Sequence, residues 1–343
     1  MRVAVLAAIC VLPLGGLTAG VQAQTASTVK PAAKKPAVRT RTTTRTAAAR
    51  ARATARARAA ARAKAARALV LREANTPRYK KDALGNIVPD VRAAAAIVFN
   101  PQTNEVLWEE NSHAQRSIAS LTKLMTAVTF IADDPDLDRR VTVVTSDVRS
   151  ANVTYLRAGE TLPLRDVLHL TLIASDNAAA RVLARTSEGG SAAFIGRMND
   201  MALQLGLTNS HYADPSGLDD RNVSSAYDIS HLISFVGADP QLASVMRKSE
   251  YEVRSSRRTV KIRSTNKLLG TTGMDVVGGK TGFIRKAGYC LATLLQIPHG
   301  SQVAVVVLGA SNSTIRFAEV RHLFNWVVGR TNGLVGGDEL VER

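Results

Sequence analysis

Cysteine is nearly absent from this chain of 343 residues, which contains only Cys10 and Cys290. Cys10 lies in an apolar N-terminal stretch, Val3–Leu17, which follows Arg2 and is shorter than the ~20 residues of a membrane span. This stretch is typical of a secretory signal. Once such a signal is removed, Cys290 is the only cysteine left, which excludes an intrachain disulfide.

The end of the signal is indicated by small residues. The motif Val21-Gln-Ala23 precedes Gln24 in the manner of a cleavage site. We therefore predict a signal peptide over residues 1–23, cleavage near Ala23 and no transmembrane segment in the mature chain. The expected location is the periplasm.

Acidic residues are missing from positions 1–72, although the chain has a formal net charge of +17. Those positions contain 15 lysines and arginines, so the remaining residues carry a net charge of only +2. Aromatic residues are also missing from residues 24–71. A segment with crowded like charges and no apolar stripe has little to bury. We predict a basic tail over residues 24–87, rich in alanine, arginine and lysine, that is disordered in isolation. Because the Ala-Arg alternation has high helix propensity, a helix formed against an anionic surface is the alternative.

The basic tail has two interpretations. Its charge favours adsorption to an anionic surface of the cell envelope, such as lipopolysaccharide, lipid or cell wall. It is equally suited to be a solvated spacer between the globular domain and the point of export. Because export is expected, nucleic acid is not a predicted partner.

Metal-binding spacing is missing as well. The six histidines form neither an H-x-x-x-H nor an H-E-x-x-H pattern. The sequence therefore predicts no metal site and no cofactor, and a zinc peptidase is not expected.

Three short motifs, separated by 55 and 105 residues, carry the chemistry of the chain: Ser120-Leu-Thr-Lys123, Ser175-Asp-Asn177 and Lys280-Thr-Gly282. Each of them is common by chance. All three in this order, each in a suitable local context, indicate the active site of a serine acyltransferase.

Ser120 and Lys123 lie one turn apart on a predicted helix, so both side chains project from one face. A serine hydroxyl becomes a nucleophile when a base takes its proton. A lysine serves as that base if burial or another cation lowers its pKa, and Lys280 is a candidate for the second cation. We predict Ser120 as the nucleophile and Lys123 as its base. The alternative for Ser120 is a helix N-cap.

Ser175 follows an apolar stretch, residues 167–174, which predicts a buried helix that ends at the site. We predict that Ser175 relays a proton to the leaving group and shares it with a lysine. Asn177 has both a donor and an acceptor, which suits holding a peptide amide beside the nucleophile. As a local pattern, S-D-N also fits a helix cap or a turn.

Lys280, Thr281 and Gly282 lie in a predicted glycine-rich strand. Lys280 and Thr281 are expected to bind a substrate carboxylate by charge and hydrogen bond. The backbone N–H groups of Phe283 and Ser120 are candidate donors to an oxyanion. The alternative for this segment is an ordinary hairpin that begins at the glycines.

Hydrophobic periodicity predicts the fold. Strands are expected at residues 93–99 and 105–108, then a mostly helical subdomain at about 135–255, and finally three strands and a helix. The late strands are predicted at 276–284, 289–297 and 302–308. The fold class is α+β, with an antiparallel five-stranded sheet flanked by helices in a domain spanning residues 88–343. A ribbon at 251–262 is expected outside the sheet.

The three motifs, the stretch Ala213-Asp-Pro-Ser-Gly-Leu218 and the aliphatic late strands resemble the low-molecular-mass penicillin-binding proteins. These are serine D-alanyl-D-alanine carboxypeptidases and endopeptidases with a β-lactamase/DD-peptidase-like fold. The resemblance covers residues 88–330 and implies cleavage of D-Ala bonds in peptidoglycan stem peptides through an acyl-enzyme. It also implies covalent inhibition by β-lactams and a role for Arg316 in binding the carboxylate. Taken alone, Arg316 is equally suited to be a solvated surface charge.

Within this family the chain looks more like the penicillin-binding protein 7 type, the D-alanyl-D-alanine endopeptidases. Many carboxypeptidases of the family continue into a β-rich second domain and an amphipathic anchor. Only 61 residues follow Gly282 here, and the predicted strands and helix use most of them.

Two other functions remain open. A class A-like β-lactamase shares the three motifs but needs a general-base glutamate about three dozen residues after S-x-N. This chain has no glutamate over Leu207–Asp214. A basic envelope-binding protein with an inactive hydrolase domain would be expected to have lost Ser120, Lys123 or Lys280, and all three are present.

Overall fold

The computed structural model describes residues 42–298 and 300–335. The predicted signal peptide, the predicted cleavage site and the first part of the basic tail lie outside these residues. The chain divides into two units, residues 1–61 and 62–343.

The helices are α1 (Thr42–Asn75), α2 (Thr122–Ala132), α3 (Thr145–Val148), α4 (Leu164–Ile173), α5 (Asn177–Thr186), α6 (Gly190–Gln204), α7 (Ala226–Ala238), α8 (Pro240–Met246) and α9 (Ser313–Val335). A 3₁₀ turn, Ala119–Leu121, precedes α2.

The strands are β1 (Tyr79–Lys81), β2 (Ile87–Pro89), β3 (Ala95–Asn100), β4 (Glu105–Glu110), β5 (Arg116–Ser117), β6 (Arg140–Thr142), β7 (Thr161–Pro163), β8 (Val223–Ser224), β9 (Glu250–Arg254), β10 (Thr259–Arg263), β11 (Asp275–Ile284), β12 (Gly288–Gln296) and β13 (Gln302–Ala310).

The predicted five-stranded sheet is confirmed. Its strand order is β11-β12-β13-β3-β4, and every neighbouring pair is antiparallel. Strands β11 and β4 therefore form the two edges. Strands β9 and β10 pair with each other as a separate ribbon, as expected.

Both faces of the sheet are covered. Along β13, Val306 belongs to the apolar cluster that includes the helical segment between β4 and β11, whereas Val305 belongs to the cluster with α9. Phe317 and Phe324 of α9 are almost fully buried in that second cluster. Full burial of a side chain of this kind contributes about 1.5–3 kcal/mol. Because side chains alternate between the two faces along each strand, the sheet contributes to two hydrophobic cores in one α+β domain.

The described part of the basic tail is helical. Residues 42–75 form the helix α1, which corresponds to the helical alternative, and its residues 47–73 are exposed. Alanine and arginine have high intrinsic helix propensity, which over 34 residues offsets the repulsion between like charges. Regular structure also begins before the predicted boundary at Val88, because β1 and β2 form a hairpin.

None of the helices within residues 42–298 and 300–335 combines the length and the hydrophobicity that a membrane crossing requires.

Candidate active site

The three motifs meet at one cleft of about 510 Å³. Its lining includes Ser120, Ser175, Asn177, Thr281 and Gly282. Lys123 and Lys280 lie below this surface and are almost completely buried, at 0% and 1% exposure. Residues separated by 160 positions in the sequence thus contribute to a single site.

Ser120 is presented by a short turn and not by the α-helix itself. It lies in the 3₁₀ turn before α2, and α2 begins at Thr122 without a side-chain cap. The N-cap alternative for Ser120 is therefore wrong. The preceding Ala119 has φ of +50°, a left-handed conformation that costs a non-glycine residue about 1–3 kcal/mol. Surrounding packing must hold this turn in place.

Gly217 and Gly282 provide that packing. A Cβ atom at Gly217, where φ is +80°, would lie 2.0 Å from the carbonyl oxygen of Ala119. A Cβ atom at Gly282 would lie 2.8 Å from the carbonyl oxygen of Ile118. Only glycine permits these two close approaches to the turn that carries Ser120.

The Lys123 ammonium has three oxygen neighbours. Its Nζ donates to Ser120 Oγ at 2.9 Å, to Asn177 Oδ1 at 2.7 Å and to the carbonyl oxygen of Ser216. Burial lowers the pKa of Lys123 to about 7, against the opposing attraction of Asp214 and Asp176. Such a pKa suits a general base at neutral pH. The cation that further lowers this pKa is Arg181, and not Lys280 as the sequence suggested.

Lys280 forms the second serine–lysine pair of the cleft. Its Nζ donates to Ser175 Oγ at 2.7 Å and to the carbonyl oxygen of Thr281 at 2.9 Å. Burial holds the pKa of Lys280 well below its usual value, and the charges of Lys123 and Arg316 lower it further. Ser175 itself is in the left-handed region with φ of +60°, directly after the buried helix α4.

Asn177 is engaged mainly by the protein. Its Oδ1 accepts from Lys123, and its Nδ2 donates to the carbonyl oxygen of Ala151 at 2.7 Å. The sequence predicted that Asn177 holds a substrate amide. The structure adds a contact with Lys123 that the sequence did not predict, and one hydrogen of Nδ2 remains for a substrate carbonyl, so the substrate role stays a prediction.

Asp176 combines the two interpretations of the S-D-N motif. Its carboxylate caps α5 by accepting from the backbone N–H of Ala179 at 2.9 Å. The same carboxylate accepts from Thr154 Oγ1 at 3.0 Å and from the N–H of Tyr155. The Asp176 side chain therefore caps α5 and also fixes the segment at Thr154 and Tyr155, which borders the cleft.

Thr265 is a cleft residue that the sequence did not reveal. Its Oγ1 accepts from Thr281 Oγ1 at 2.7 Å, and both threonines line the cleft. Thr265 lies in the loop between β10 and β11, outside the three motifs, so the sequence alone did not indicate it.

Arg316 is buried, with 8% exposure, so the interpretation as a solvated surface charge is wrong. Its Nη1 donates to the carbonyl oxygens of Gly282 at 3.0 Å and Cys290 at 3.2 Å. Burial lowers the pKa of Arg316. The guanidinium lies over the ring of Tyr289, which stacks on Phe283 at a centroid distance of 4.2 Å. Arg316 thus braces the strand pair that forms one wall of the cleft.

The loop Ala213–Leu218 packs against Lys123, the predicted base. Asp214 accepts from the N–H of Gly217 at 2.7 Å and from Ser216 Oγ at 2.6 Å. Thr126 Oγ1 donates to the carbonyl oxygen of Pro215 at 2.6 Å. This loop places the Ser216 carbonyl oxygen against Lys123.

A separate apolar cavity lies between α2, α6, α7 and α8 and contains no nucleophile–base pair. The described part of the chain also has no group of three or more histidine, cysteine or acidic residues placed to hold a metal ion. The serine–lysine cleft is therefore the candidate active site.

The part of the chain that contains the three motifs is similar to known proteins. Residues 82–312 match the family described as D-alanyl-D-alanine carboxypeptidase. The chain is 33% identical over 242 residues to the D-alanyl-D-alanine endopeptidase of Pseudomonas aeruginosa, which covers 69% of this chain and 78% of that protein. It is 31% identical over 243 residues to the D-alanyl-D-alanine endopeptidase of Escherichia coli, covering 70% and 78%.

Among solved structures, the crystal structure of the Streptomyces K15 DD-transpeptidase is similar to this fold. The TM-score is 0.66 at 26% sequence identity, and the match covers 69% of this chain and 97% of the other.

Proposed function

The chain belongs to the D-alanyl-D-alanine carboxypeptidase family of serine peptidases, and we propose that it cleaves D-Ala-containing peptide bonds of peptidoglycan through an acyl-enzyme on Ser120. The observation that carries this proposal is the contact between Lys123 Nζ and Ser120 Oγ, at 2.9 Å, with the pKa of Lys123 lowered to about 7.

The surroundings of Lys123 direct its lone pair. A neutral amine has two hydrogens, and Asn177 Oδ1 and the Ser216 carbonyl oxygen accept them. The lone pair of Nζ then faces Ser120 Oγ and takes its proton as Oγ bonds to the scissile carbonyl carbon. The carbonyl oxygen becomes an oxyanion, for which the N–H groups of Ser120 and Phe283 are the proposed donors.

Departure of the amine requires a proton. Ser175 Oγ gives its proton to the leaving nitrogen and regains one from Lys280 Nζ, to which it is already hydrogen-bonded at 2.7 Å. The C–N bond breaks and an ester to Ser120 remains. The proton that Lys123 took from Ser120 passes through solvent to Lys280, which restores both lysines. Water then adds to the ester and gives a proton to Lys123, and Lys123 returns that proton to Ser120 Oγ as the C–O bond of the ester breaks.

We propose that Thr281 binds the substrate carboxylate and that the ammonium of Lys280, buried beneath the cleft surface, adds positive charge. The Thr265–Thr281 hydroxyl pair adds a second group for this site. Arg316 lines the same cleft and holds the carbonyl oxygen of Gly282 through Nη1, so it positions the strand and adds positive charge to the carboxylate site.

We assign the enzyme to the endopeptidase type, which opens peptide crosslinks, because two relatives at 33% and 31% identity are D-alanyl-D-alanine endopeptidases. Removal of a terminal D-Ala is the alternative reaction of the same site. β-Lactams are expected to acylate Ser120 as substrate mimics.

The proposal extends to location and tail. We propose that residues 1–23 are a signal peptide, that the enzyme works in the periplasm, and that the basic tail binds an anionic envelope surface. Support for the last point comes from α1, whose exposed residues 47–72 include no acid and carry positive charge without an apolar face. A charged helix of this kind favours polyanion binding over insertion into lipid.

Digestion of purified sacculi, followed by mass spectrometry of the products, tests the function directly. Loss of crosslinked dimers identifies the endopeptidase, and loss of a terminal D-Ala identifies the carboxypeptidase. Unchanged sacculi together with rapid nitrocefin turnover would favour the β-lactamase alternative. Unchanged sacculi without labelling by fluorescent penicillin would favour an inactive domain.

A further inference from the structure

The hairpin between β11 and β12 presents an arginine that the proposed reaction does not use. Arg285 follows the last residue of β11 and lines the cleft. It is exposed, and among the described residues it has no ion-pair or hydrogen-bond partner. Its neighbour Lys286 is also exposed but does not line the cleft.

The backbone of the hairpin loop that carries Arg285 is short and well packed. Ile284 pairs with Gly288, so only three residues form the loop. Gly288 has φ of +70°, and a Cβ atom there would lie 3.2 Å from the carbonyl oxygen of Ala310. Ala287 is buried, with 2% exposure. A short loop packed in this way fixes the direction in which its side chains leave the backbone.

The charges of the cleft leave Arg285 available for a ligand. No acidic residue is among the described residues that line the cleft. The two other cations of this wall are buried: Lys280 donates to Ser175, and Arg316, which also lines the cleft, donates Nη1 to two backbone carbonyl oxygens. Arg285 is the exposed cation of the wall. An arginine fork matches the geometry of a carboxylate, and a solvated arginine gains most from an anionic partner.

We propose that Arg285 forms a second anion subsite of the cleft, which binds a carboxylate of the substrate peptide distinct from the one beside Thr281. This inference rests on the proposed peptidase function. It assigns the substrate class as peptides with a second, internal carboxylate, and not short neutral peptides.

The strand geometry sets the distance between the two carboxylates. Arg285 is four residues beyond Thr281, and a strand rises ~3.3 Å per residue, which separates the two positions by ~13 Å. An extended peptide covers that distance with three to four residues. The exposed ring of Phe283 lies between the two positions and offers an apolar surface to the intervening part of the peptide.

Two sets of pentapeptides ending in D-alanyl-D-alanine test the subsite. Within each set the first or the second residue, four or three residues before the terminal carboxylate, is glutamate or glutamine, so that only one charge differs. For the wild-type protein we expect a KM about fivefold lower for the glutamate peptide at one of these positions, with similar kcat, which is the range of an exposed ion pair. R285Q should lose this preference, whereas the matched control K286Q should retain it.

Labelling by fluorescent penicillin separates failure of the subsite from failure of the proposed function. R285Q should be labelled at the wild-type rate, because Ser120 and its base are untouched. If R285Q keeps the preference for glutamate, or if the wild-type protein shows none at either position, the subsite is overturned. If the wild-type protein neither cleaves the peptides nor reacts with penicillin, the peptidase function itself is wrong.

Discussion

Ser175 and Lys280, which are 105 residues apart in the sequence, are joined by a 2.7 Å hydrogen bond between Oγ and Nζ. This pair stands beside the Ser120–Lys123 pair in the same cleft. Each lysine is buried and has a lowered pKa, so each is suited to exchange a proton with its serine. The two pairs divide the reaction into proton removal from the nucleophile and proton delivery to the leaving group.

Ser120→Ala should abolish both peptidase activity and penicillin labelling, because the acyl-enzyme cannot form. The variant should fold normally, since the hydroxyl does not cap α2 and Lys123 keeps Asn177 Oδ1 and the Ser216 carbonyl oxygen as acceptors. Mass spectrometry of penicillin-treated protein and a thermal melt measure these two properties. A penicillin adduct on another residue, formed at the wild-type rate, would contradict the assignment.

Lys123→Arg should remove acylation, because an arginine stays protonated at working pH and cannot accept the Ser120 proton. Lys280→Arg keeps the positive charge but cannot return a proton to Ser175, which then depends on solvent in the cleft. We therefore expect a milder loss than for Lys123→Arg, which appears in kcat as well as in KM for peptides with a terminal carboxylate. Stopped-flow acylation and steady-state kinetics separate the two effects. Complete inactivation by both changes would show that the roles of the lysines do not differ in this way.

Acylation should accelerate as pH rises through about 7, because Lys123 acts as a base only when neutral and burial lowers its pKa to about 7. The rate should then reach a plateau. The check is the rate of penicillin labelling between pH 5 and 9, a range chosen around that pKa. A rate that is independent of pH would mean that Lys123 is already neutral throughout or is not the base.

The same pKa predicts how stability varies with pH. The pKa of Lys123 is lower in the folded state than the ~10.4 of an unfolded lysine, so the unfolded state binds more protons between these values. The free energy of unfolding should therefore increase as pH rises from about 7 towards 10. Lys123→Met should reduce this slope in urea titrations. An equal slope in both proteins would place the titrating group elsewhere.

Thr265→Val should raise KM for peptides with a terminal carboxylate by about three- to tenfold, the effect of losing one hydrogen bond of ~1 kcal/mol. The shape of valine preserves packing, and Thr265→Ser keeps the hydroxyl as the matched control. Penicillin carries its own carboxylate, so its labelling rate should fall in parallel. An unchanged KM in the valine variant would exclude Thr265 from the carboxylate site.

Replacing Arg50, Arg52, Arg56 and Arg58 by glutamine should weaken binding of the full chain to sacculi at low salt. Glutamine preserves helix propensity, so only charge is removed. The same positions changed to lysine should bind as the wild type does, and added salt should weaken binding by screening. Co-sedimentation measures all three proteins. Equal sedimentation of all, unaffected by salt, would make the tail a spacer.

The sequence predicted the parts of the site that recur as local patterns. Ser120, Lys123 and Lys280 lie within motifs, and periodicity located the five strands. It did not reveal Thr265, whose neighbours form no motif. Ser216 lies in the stretch Ala213–Leu218 that contributed to the family resemblance, but that pattern does not show that its carbonyl oxygen reaches Lys123 by long-range packing. The sequence also did not predict the start of α2, since a 3₁₀ turn and an α-helix share the same apolar spacing over one turn.

The helix α1 shows a different limit of sequence interpretation. Repulsion between arginines and high helix propensity oppose each other, and the pattern alone does not reveal which is larger. For Asn177 the residue type indicated both a donor and an acceptor, but only the fold shows that Lys123 occupies the acceptor.

The two edge strands of the sheet, β11 and β4, are protected from pairing with other strands in different ways. At β11 the turn with Ser120 lies against Gly282 and covers part of the edge. At β4 the chain carries Glu105, Glu109 and Glu110, and acidic side chains on an edge strand discourage pairing with another sheet. Packing at one edge and charge at the other thus oppose edge-to-edge aggregation.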